Sequence, residues 1–268
     1  DHYRPAVQSS FRAVLGENGL PVAWENLYVD KHEPEEAPHI LYDVPHQLVH
    51  YVDSPTHVPF GAWRSVDHSQ HGFFTESFID ELAHEAGQDP YRYRRRLLQQ
   101  KPRQLTVLDE VARRAGWGEP MAEGRGRGIS LQQSFGSIVG EVVEVTWADG
   151  RLSVDRVVVV VDAGFAVSPD GLTAQMESGV VYGLTAALYG EINIVDGCVV
   201  EGNFDSYPAL RMDRSPVIET HIINSMEAWG GAGEPGTPGI APALANAVFS
   251  ATGRRIRQLP LNRYEMSV

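Results

Sequence analysis

The chain has 268 residues, of which 43% are hydrophobic and 21% are charged, as expected for a globular protein with a sizeable core. Its formal net charge of −13 argues against nucleic acids and anionic membrane surfaces as partners, because both need a basic footprint. The single cysteine, Cys198, excludes an internal disulfide, a multi-cysteine zinc site and an iron–sulfur cluster held by this chain alone.

The first part of the chain shows short strand-like runs followed by helical periodicity. Gly87 is a typical helix stop, and Asp89-Pro90 is a typical pair of N-cap and first-turn residues. The predicted strands are 22–24, 40–42 and 48–52, and the predicted helices are 78–86, a segment opened by Pro90, and 105–115.

The second part alternates between hairpins and helices. Asp149-Gly150 is a tight-turn signal, and the unbroken valines of 157–161 indicate a strand that is buried on both faces. Gly179 and Gly183 lie four residues apart in a predicted helix, so another backbone can approach closely there. The other predicted elements are that helix from Ser168-Pro169-Asp170, a hairpin over 191–204, a strand over 217–224, a glycine-rich loop over 225–239 and a helix over 241–252.

These elements predict an α+β fold with mixed sheets, hairpins and packed helices. A soft boundary lies where glycine and arginine alternate near residue 124. We therefore expect two parts, 1–123 and 124–268.

The loop from Trp229 to Pro238 is the most informative stretch, with four glycines and two prolines around a single carboxylate, Glu234. Glycines let a backbone approach a ligand closely, and prolines stiffen the rest of the loop. A carboxylate on such a platform is suited to act as a general base. Composition alone favours the alternative, which is a mobile surface loop with a solvated carboxylate.

Other candidate residues are less specific. Arg64 suits an anion or a carbonyl group, and an ordinary ion pair explains it equally well. The stretch Arg125-Gly126-Arg127-Gly128 has the composition of an anion cradle, but without a phosphate-loop pattern a loop with two solvated arginines is favoured. Gln175 suits either a buried cofactor or the surface. His68 and His71 have helical spacing for a metal, but the sequence places no third ligand beside them, so we assign no metal site.

Four segments of the chain identify a protein family when they are taken together and in order. They lie at 59–90, 124–129, 161–179 and 233–247. Together they resemble the molybdenum-binding subunit of the xanthine oxidase family. The resemblance is to its branch of isoquinoline 1-oxidoreductase beta subunits and related bacterial aldehyde dehydrogenases. It implies a fold like the molybdenum-cofactor-binding domain, in a chain that is the C-terminal part of a longer subunit.

The resemblance implies a molybdenum hydroxylase that oxidises an aldehyde or an N-heterocyclic aromatic compound, with water as the source of oxygen. It implies a molybdopterin cofactor, in the cytosine dinucleotide form, whose molybdenum the protein itself does not ligate. Glu234 is then the base, and Arg64 orients substrate or stabilises charge. The residues implied for cofactor binding are Gly61, Trp63, Gln175, Gly231 and Gly233.

Members of the family carry a Gly-Gln-Gly segment that helps to hold the pterin, and this sequence has none. We therefore expect the chain to be inactive alone, with the N-terminal part of the molybdopterin subunit as a partner. An iron–sulfur subunit with two two-iron clusters is implied as the electron acceptor. The compartment stays open between bacterial cytoplasm and periplasm. The alternative is a non-catalytic scaffold or folding module that does not bind a complete cofactor.

Overall fold

The computed structural model of the chain describes residues 3–264 and residue 266. The strands are β1 (Gln8–Leu15), β2 (Pro21–Asp30), β3 (His46–Asp53), β4 (Arg125–Ser134), β5 (Ser137–Ala148), β6 (Arg151–Asp162), β7 (Ile194–Val195), β8 (Cys198–Val199) and β9 (Val217–Ile223). The helices are α1 (His68–Glu85), α2 (Pro90–Arg96), α3 (Pro102–Arg114), α4 (Pro169–Tyr189) and α5 (Ile240–Thr252). Within the described residues, no helix is both long enough and apolar enough to span a bilayer.

Two main sheets organise the fold. The first has the order β1-β2-β3, with β1 antiparallel and β3 parallel to β2. The second has the order β4-β5-β6-β9, in which only the β6–β9 pair is parallel. The turn between β5 and β6 has positive φ at both Asp149 and Gly150, as a two-residue hairpin requires, so the predicted hairpin is confirmed.

The valines of β6 explain how the second sheet separates two buried clusters. Val157, Val159 and Val161 pack on the side of α4 and α5, whereas Val158 and Val160 pack on the side of α1 and α3. A strand that is apolar at every position is what a sheet covered on both faces needs. The second cluster joins side chains from both sides of residue 123, among them Ile79, Leu108, Ile129 and Ile138.

The arginine–glycine stretch before Ile129 is not the solvated loop that we expected. It forms the start of β4, and Arg127 is only 11% exposed because it is paired with Glu144 on β5. Gly126 and Gly128 face α5 so closely that a Cβ on either would overlap the helix backbone. The glycines therefore serve close packing between strand and helix.

Three other elements differ from the sequence predictions. Residues 40–42 form no strand, and the hairpin over 191–204 shrinks to two-residue strands. Helix α1 begins at His68 rather than near Phe78. Its first half is polar but buried, so it carries no apolar stripe for periodicity to detect.

Candidate active site

Glu234 lies in the loop between β9 and α5, and its carboxylate is held at one oxygen. Oε1 accepts a hydrogen bond from the backbone N–H of Ser65 at 3.0 Å. The Ser65 hydroxyl donates to the Glu234 carbonyl at 2.6 Å, so two bonds join these residues across 169 positions of sequence. Within residues 3–264 and 266, Oε2 accepts no hydrogen bond, which leaves that oxygen available to a ligand.

Arg64 joins the Glu234 loop to α4. Its Nε donates to the carbonyl of Gly233 at 2.9 Å, and Nη1 donates to the hydroxyl of Ser178 at 2.8 Å. Nη2 donates to Oε1 of Gln175 at 3.0 Å and to the backbone carbonyl of the same residue at 3.2 Å. The guanidinium fork therefore fixes the loop against the helix, because its planar donors match this set of oxygens. We call this group of bonds the Arg64 clasp.

One face of α4 forms a wall of the site. Gln175, Ser178 and Tyr182 are three and then four residues apart, a spacing that places them on the same side of a helix. The ring of Trp63 packs on that of Tyr182 with centroids 4.7 Å apart, and the Arg64 guanidinium lies 5.7 Å from the same ring. The aromatic pair continues the wall next to the Arg64 clasp.

The glycine-rich loop is anchored at both neighbouring strand ends. The Gly231 N–H donates to the carbonyl of Phe135 at 2.7 Å, and the Ser137 hydroxyl donates to the Gly231 carbonyl at 2.6 Å. The Gly230 N–H donates to the carbonyl of Ala163 at 3.2 Å. These bonds do not fit the alternative of a loose surface loop. A Cβ on Gly233 would meet no atom within 4 Å, so the backbone there faces open space.

The turn that presents Ser65 is strained. Ser65 and Val66 have φ angles of 76° and 39°, in the left-handed region that residues with a Cβ rarely adopt. A β-branched residue such as Val66 is an outlier there and persists only where its surroundings hold it. The conformation directs both the N–H and the hydroxyl of Ser65 at Glu234.

His68, the first residue of α1, follows this turn after one intervening residue. Burial lowers the pKa of His68, and the opposing effects of Glu36, Asp67 and Glu234 do not restore it. The edge of its ring meets Phe135, with centroids 5.4 Å apart. At neutral pH the site therefore has a neutral imidazole beside the Glu234 loop.

The structure brings together most of the residues that the sequence singled out. Glu234 and Arg64 join the site with Gln175 and Gly233, and Trp63 and Gly231 adjoin them. Gly61 donates its N–H to the carbonyl of Tyr3 and takes no part in the Arg64 clasp.

Sequence reasoning missed three residues of the site, namely Ser65, Ser178 and Tyr182. Helical spacing from Gln175 could have found the two on α4. Nothing in the sequence signals the backbone role of Ser65.

The free groups of the site fit a large polar cofactor. Glu234 offers a free carboxylate oxygen, Gly233 offers backbone with open space above it, and Gln175 retains its amide nitrogen because Oε1 is bound to Arg64. Gln175, Ser178 and Gly233 are exposed, so the groups lie on an open face. Donors and acceptors arranged along such a face suit a heterocycle with many polar edges.

Comparison with known proteins shows which protein families this chain resembles. Residues 77–216, just over half of the chain, match the family model of the molybdopterin cofactor-binding domain. The chain is 32% identical over 227 residues to the beta chain of isoquinoline 1-oxidoreductase from Brevundimonas diminuta, a match that covers 83% of this chain and 29% of that protein. It is 33% identical over 240 residues to a component of nicotinate dehydrogenase from Pseudomonas putida, covering 82% and 20%. The chain thus spans less than a third of the length of these relatives.

Comparison with solved structures gives the same result for the fold. Quinoline 2-oxidoreductase from Pseudomonas putida 86 superposes with a TM-score of 0.78 over 95% of this chain and 61% of that one, at 12% sequence identity. The α+β fold expected from the sequence is therefore confirmed as that of the molybdenum-cofactor-binding domain. The chain belongs to the molybdopterin cofactor-binding domain family of xanthine oxidase-type molybdenum enzymes.

Proposed function

We propose that this chain carries the catalytic base of a molybdenum hydroxylase that oxidises an aldehyde or an N-heterocyclic aromatic substrate with oxygen from water. The observation that carries the proposal is the carboxylate of Glu234, fixed at Oε1 by Ser65 and free at Oε2. The names of two relatives, an isoquinoline oxidoreductase and a nicotinate dehydrogenase, point to N-heterocyclic substrates.

Bound molybdopterin supplies the two-electron oxidation, and the chain's own residues supply proton transfer and position. Oε2 of Glu234 accepts the proton of the water-derived oxygen that attacks the substrate. The Ser65 N–H on Oε1 keeps the carboxylate oriented. A base held in this way needs little reorganisation before it reacts.

Arg64 acts mainly as a positioning residue in this proposal. Its donors are occupied by Gly233, Ser178 and Gln175, so it holds the Glu234 loop at a fixed distance from α4. Its positive charge still lies beside the site, where it favours negative charge that develops on substrate oxygen.

Gln175, Gly231, Gly233, Trp63 and Gly61 are proposed to line the cofactor, which we take to be the cytosine dinucleotide form. Its remaining contacts come from the N-terminal part of the molybdopterin subunit. We take the electron acceptor to be an iron–sulfur subunit with two two-iron clusters, as the family resemblance implies. The one cysteine of this chain cannot hold such a cluster by itself.

The test is Glu234→Gln in the enzyme assembled with its partner subunits. We expect the turnover number to fall ~10²–10⁴-fold, the usual loss for a missing general base, with molybdenum content unchanged. The matched control is Glu227→Gln, an exposed carboxylate in the same loop, and we expect it to change turnover less than twofold. Turnover above a tenth of the original in Glu234→Gln contradicts the role of base. A wild-type assembly that binds no molybdenum supports the scaffold instead.

A further inference from the structure

A cluster of potential metal ligands lies where β2 meets the start of α1. Asp30 is the last residue of β2, His32 follows it, and Asp67 directly precedes α1. Each of the three offers one ligand atom, a carboxylate oxygen or an imidazole nitrogen, and these atoms lie within 4.8 Å of one another. His68 and His71, whose helical spacing suits a metal but to which the sequence analysis assigned no metal site, do not belong to the group.

Asp30 is completely buried, and only one of its two carboxylate oxygens has a hydrogen-bond partner among the described residues. Its Oδ1 accepts the N–H of Lys31 at 2.6 Å, whereas Oδ2 is buried with no hydrogen-bond partner among the described residues. A buried oxygen without a partner is uncommon, because it loses its contact with water and gains nothing in return.

His32 is held beside Asp30 and has a free nitrogen. Its Nε2 lies 3.0 Å from Oδ2 of Asp67, and its ring stacks on Phe60 with centroids 4.9 Å apart. Its Nδ1 is buried and has no partner within the described part of the chain. A completely buried and partly unsatisfied carboxylate, Asp30, thus lies in one small group of side chains with the His32–Asp67 pair.

We propose that Asp30, His32 and Asp67 bind a divalent transition-metal ion of the Zn²⁺ type. Two carboxylate oxygens and one imidazole nitrogen form a donor set that zinc accepts with water in the fourth position. Magnesium and calcium prefer oxygen ligands alone, so the histidine selects against them. Bonds of about 2.1 Å place tetrahedral ligands about 3.4 Å apart, so the side chains must close by roughly 1 Å on binding.

The ion joins two parts of the fold that the candidate active site depends on. Asp67 ends the strained turn that carries Arg64 and Ser65, and Asp30 ends the central strand of the first sheet. A metal that links these positions restrains the turn from outside the site. Its role is structural, and it takes no part in the oxidation.

The first experiment measures Zn²⁺ binding by the complete chain after removal of metal, in competition with a chromogenic chelator. We expect one Zn²⁺ per chain, and at least a tenfold weaker affinity in Asp30→Asn and His32→Gln. The matched controls are Asp53→Asn and His57→Gln, whose side chains are exposed and near the same sheet, and they should bind as the wild type does. Mg²⁺ at the same concentration should not compete.

The second experiment separates a lost site from a lost fold. Co²⁺ replaces Zn²⁺ and gives visible absorption bands when its coordination is low, so His32→Gln should lose these bands while its circular dichroism is unchanged. Binding of less than 0.1 equivalent by the wild type, or equal binding by wild type and Asp30→Asn, overturns the proposal. Because the same titration is made on Glu234→Gln, which should bind Zn²⁺ normally, failure here is distinguishable from failure of the proposed function.

Discussion

Glu141 and Glu144 lie three residues apart on β5 and are both buried, but they differ in their partners. Glu144 accepts hydrogen bonds from Arg127 at 2.8 Å and from Arg156 at 3.3 Å. Both carboxyl oxygens of Glu141 are buried with no partner among the described residues, against the backbone of Gly239. Burial raises the pKa of Glu141 well above its ordinary value. The folded chain therefore keeps this carboxyl protonated where the unfolded chain has released the proton.

We predict that Glu141→Gln stabilises the fold at neutral pH. A raised folded-state pKa means that the wild type loses stability as pH rises above the unfolded value, by at most about 1.4 kcal/mol per pH unit, and glutamine removes this loss. Urea unfolding between pH 5 and pH 8 should show that Glu141→Gln has a higher unfolding free energy than the wild type, by a difference that grows with pH. The control on the same strand, Glu144→Gln, should lose about 3–5 kcal/mol because the largely buried Arg127 is left without a carboxylate partner. A gain for Glu141→Gln that is constant with pH would contradict the explanation.

The sequence identified some residues of the site because local context carries their signal. Glu234 stands out as the one carboxylate among glycines and prolines, and Arg64 stands out once the family resemblance is added. Ser65 acts through its backbone N–H, and Asp30 meets Asp67 only after β2 and α1 have packed together. Such roles depend on tertiary contacts that residue type and spacing do not encode.

A buried arginine joins α1 and α2. Arg94 on α2 is 0% exposed, and its Nε donates to Oε2 of Glu76 on α1 at 2.9 Å. Its Nη2 donates to the Glu76 backbone carbonyl, and Nη1 lies 3.5 Å from Asp80. The next residue, Arg95, is 46% exposed and pairs with Asp109 at the surface. Adjacent positions thus hold one buried and one solvated ion pair.

We predict that Arg94→Ala costs about 3–5 kcal/mol of unfolding free energy, because it leaves the carboxylate of Glu76 buried and unpaired. Arg95→Ala should cost less than about 1 kcal/mol, since solvent already screens that pair. Urea unfolding of both variants at pH 7 tests the difference. If both variants lose the same unfolding free energy, the buried pair of Arg94 and Glu76 contributes no more than the exposed pair of Arg95 and Asp109.

The contact of α4 with the active-site loop depends on a glycine. A Cβ on Gly179 would lie 2.8 Å from the backbone carbon of Gly236, closer than real Cβ contacts. This confirms the close backbone approach that the spacing of Gly179 and Gly183 predicts. Only a residue without a side chain lets the helix and the loop meet.

We predict that Gly179→Ala lowers turnover of the assembled enzyme by at least tenfold, because it pushes the Glu234 loop away from α4. Gly202→Ala is the control, since a Cβ there meets nothing within 4 Å. Circular dichroism should show both variants folded. Unchanged turnover in folded Gly179→Ala would mean that the loop tolerates displacement.

Elements with strong local signals were predicted, and elements defined by long-range contacts were not. Asp149-Gly150 with flanking valines predicted the β5–β6 hairpin, and Asp89 caps α2 through the N–H of Arg92 as its type suggests. The first half of α1 was missed because it is rich in buried polar residues, such as Ser69, whose hydroxyl accepts a hydrogen bond from Arg4, 65 positions away.

At the scale of the whole molecule, several large apolar side chains remain exposed. Phe204 is 89% exposed, Met212 is 95% exposed and Trp229 is 73% exposed. Single exposed apolar side chains are common on protein surfaces, whereas a contiguous apolar patch is typical of a surface that meets another part of a protein. The chain also spans 29% or less of the relatives described above.

We predict that the 268-residue chain purified alone retains less than about a tenth of an equivalent of molybdenum and oxidises no aldehyde or N-heterocycle. Assembly with the N-terminal part of the molybdopterin subunit should raise the metal content toward one equivalent. Elemental analysis and dye reduction measure the two quantities. Stoichiometric molybdenum on the isolated chain would show that its own residues suffice to hold the cofactor.

The Arg64 clasp has a consequence for the order of events during biosynthesis. Arg64 binds Gln175 and Gly233, which lie 111 and 169 positions further along the chain. During synthesis, a chain that does not yet include the glycine-rich loop lacks both Gly233, which Arg64 binds, and Glu234 next to it. We therefore expect the chain to accept the proposed cofactor only after residues 229–238 have been synthesised and have folded against α4.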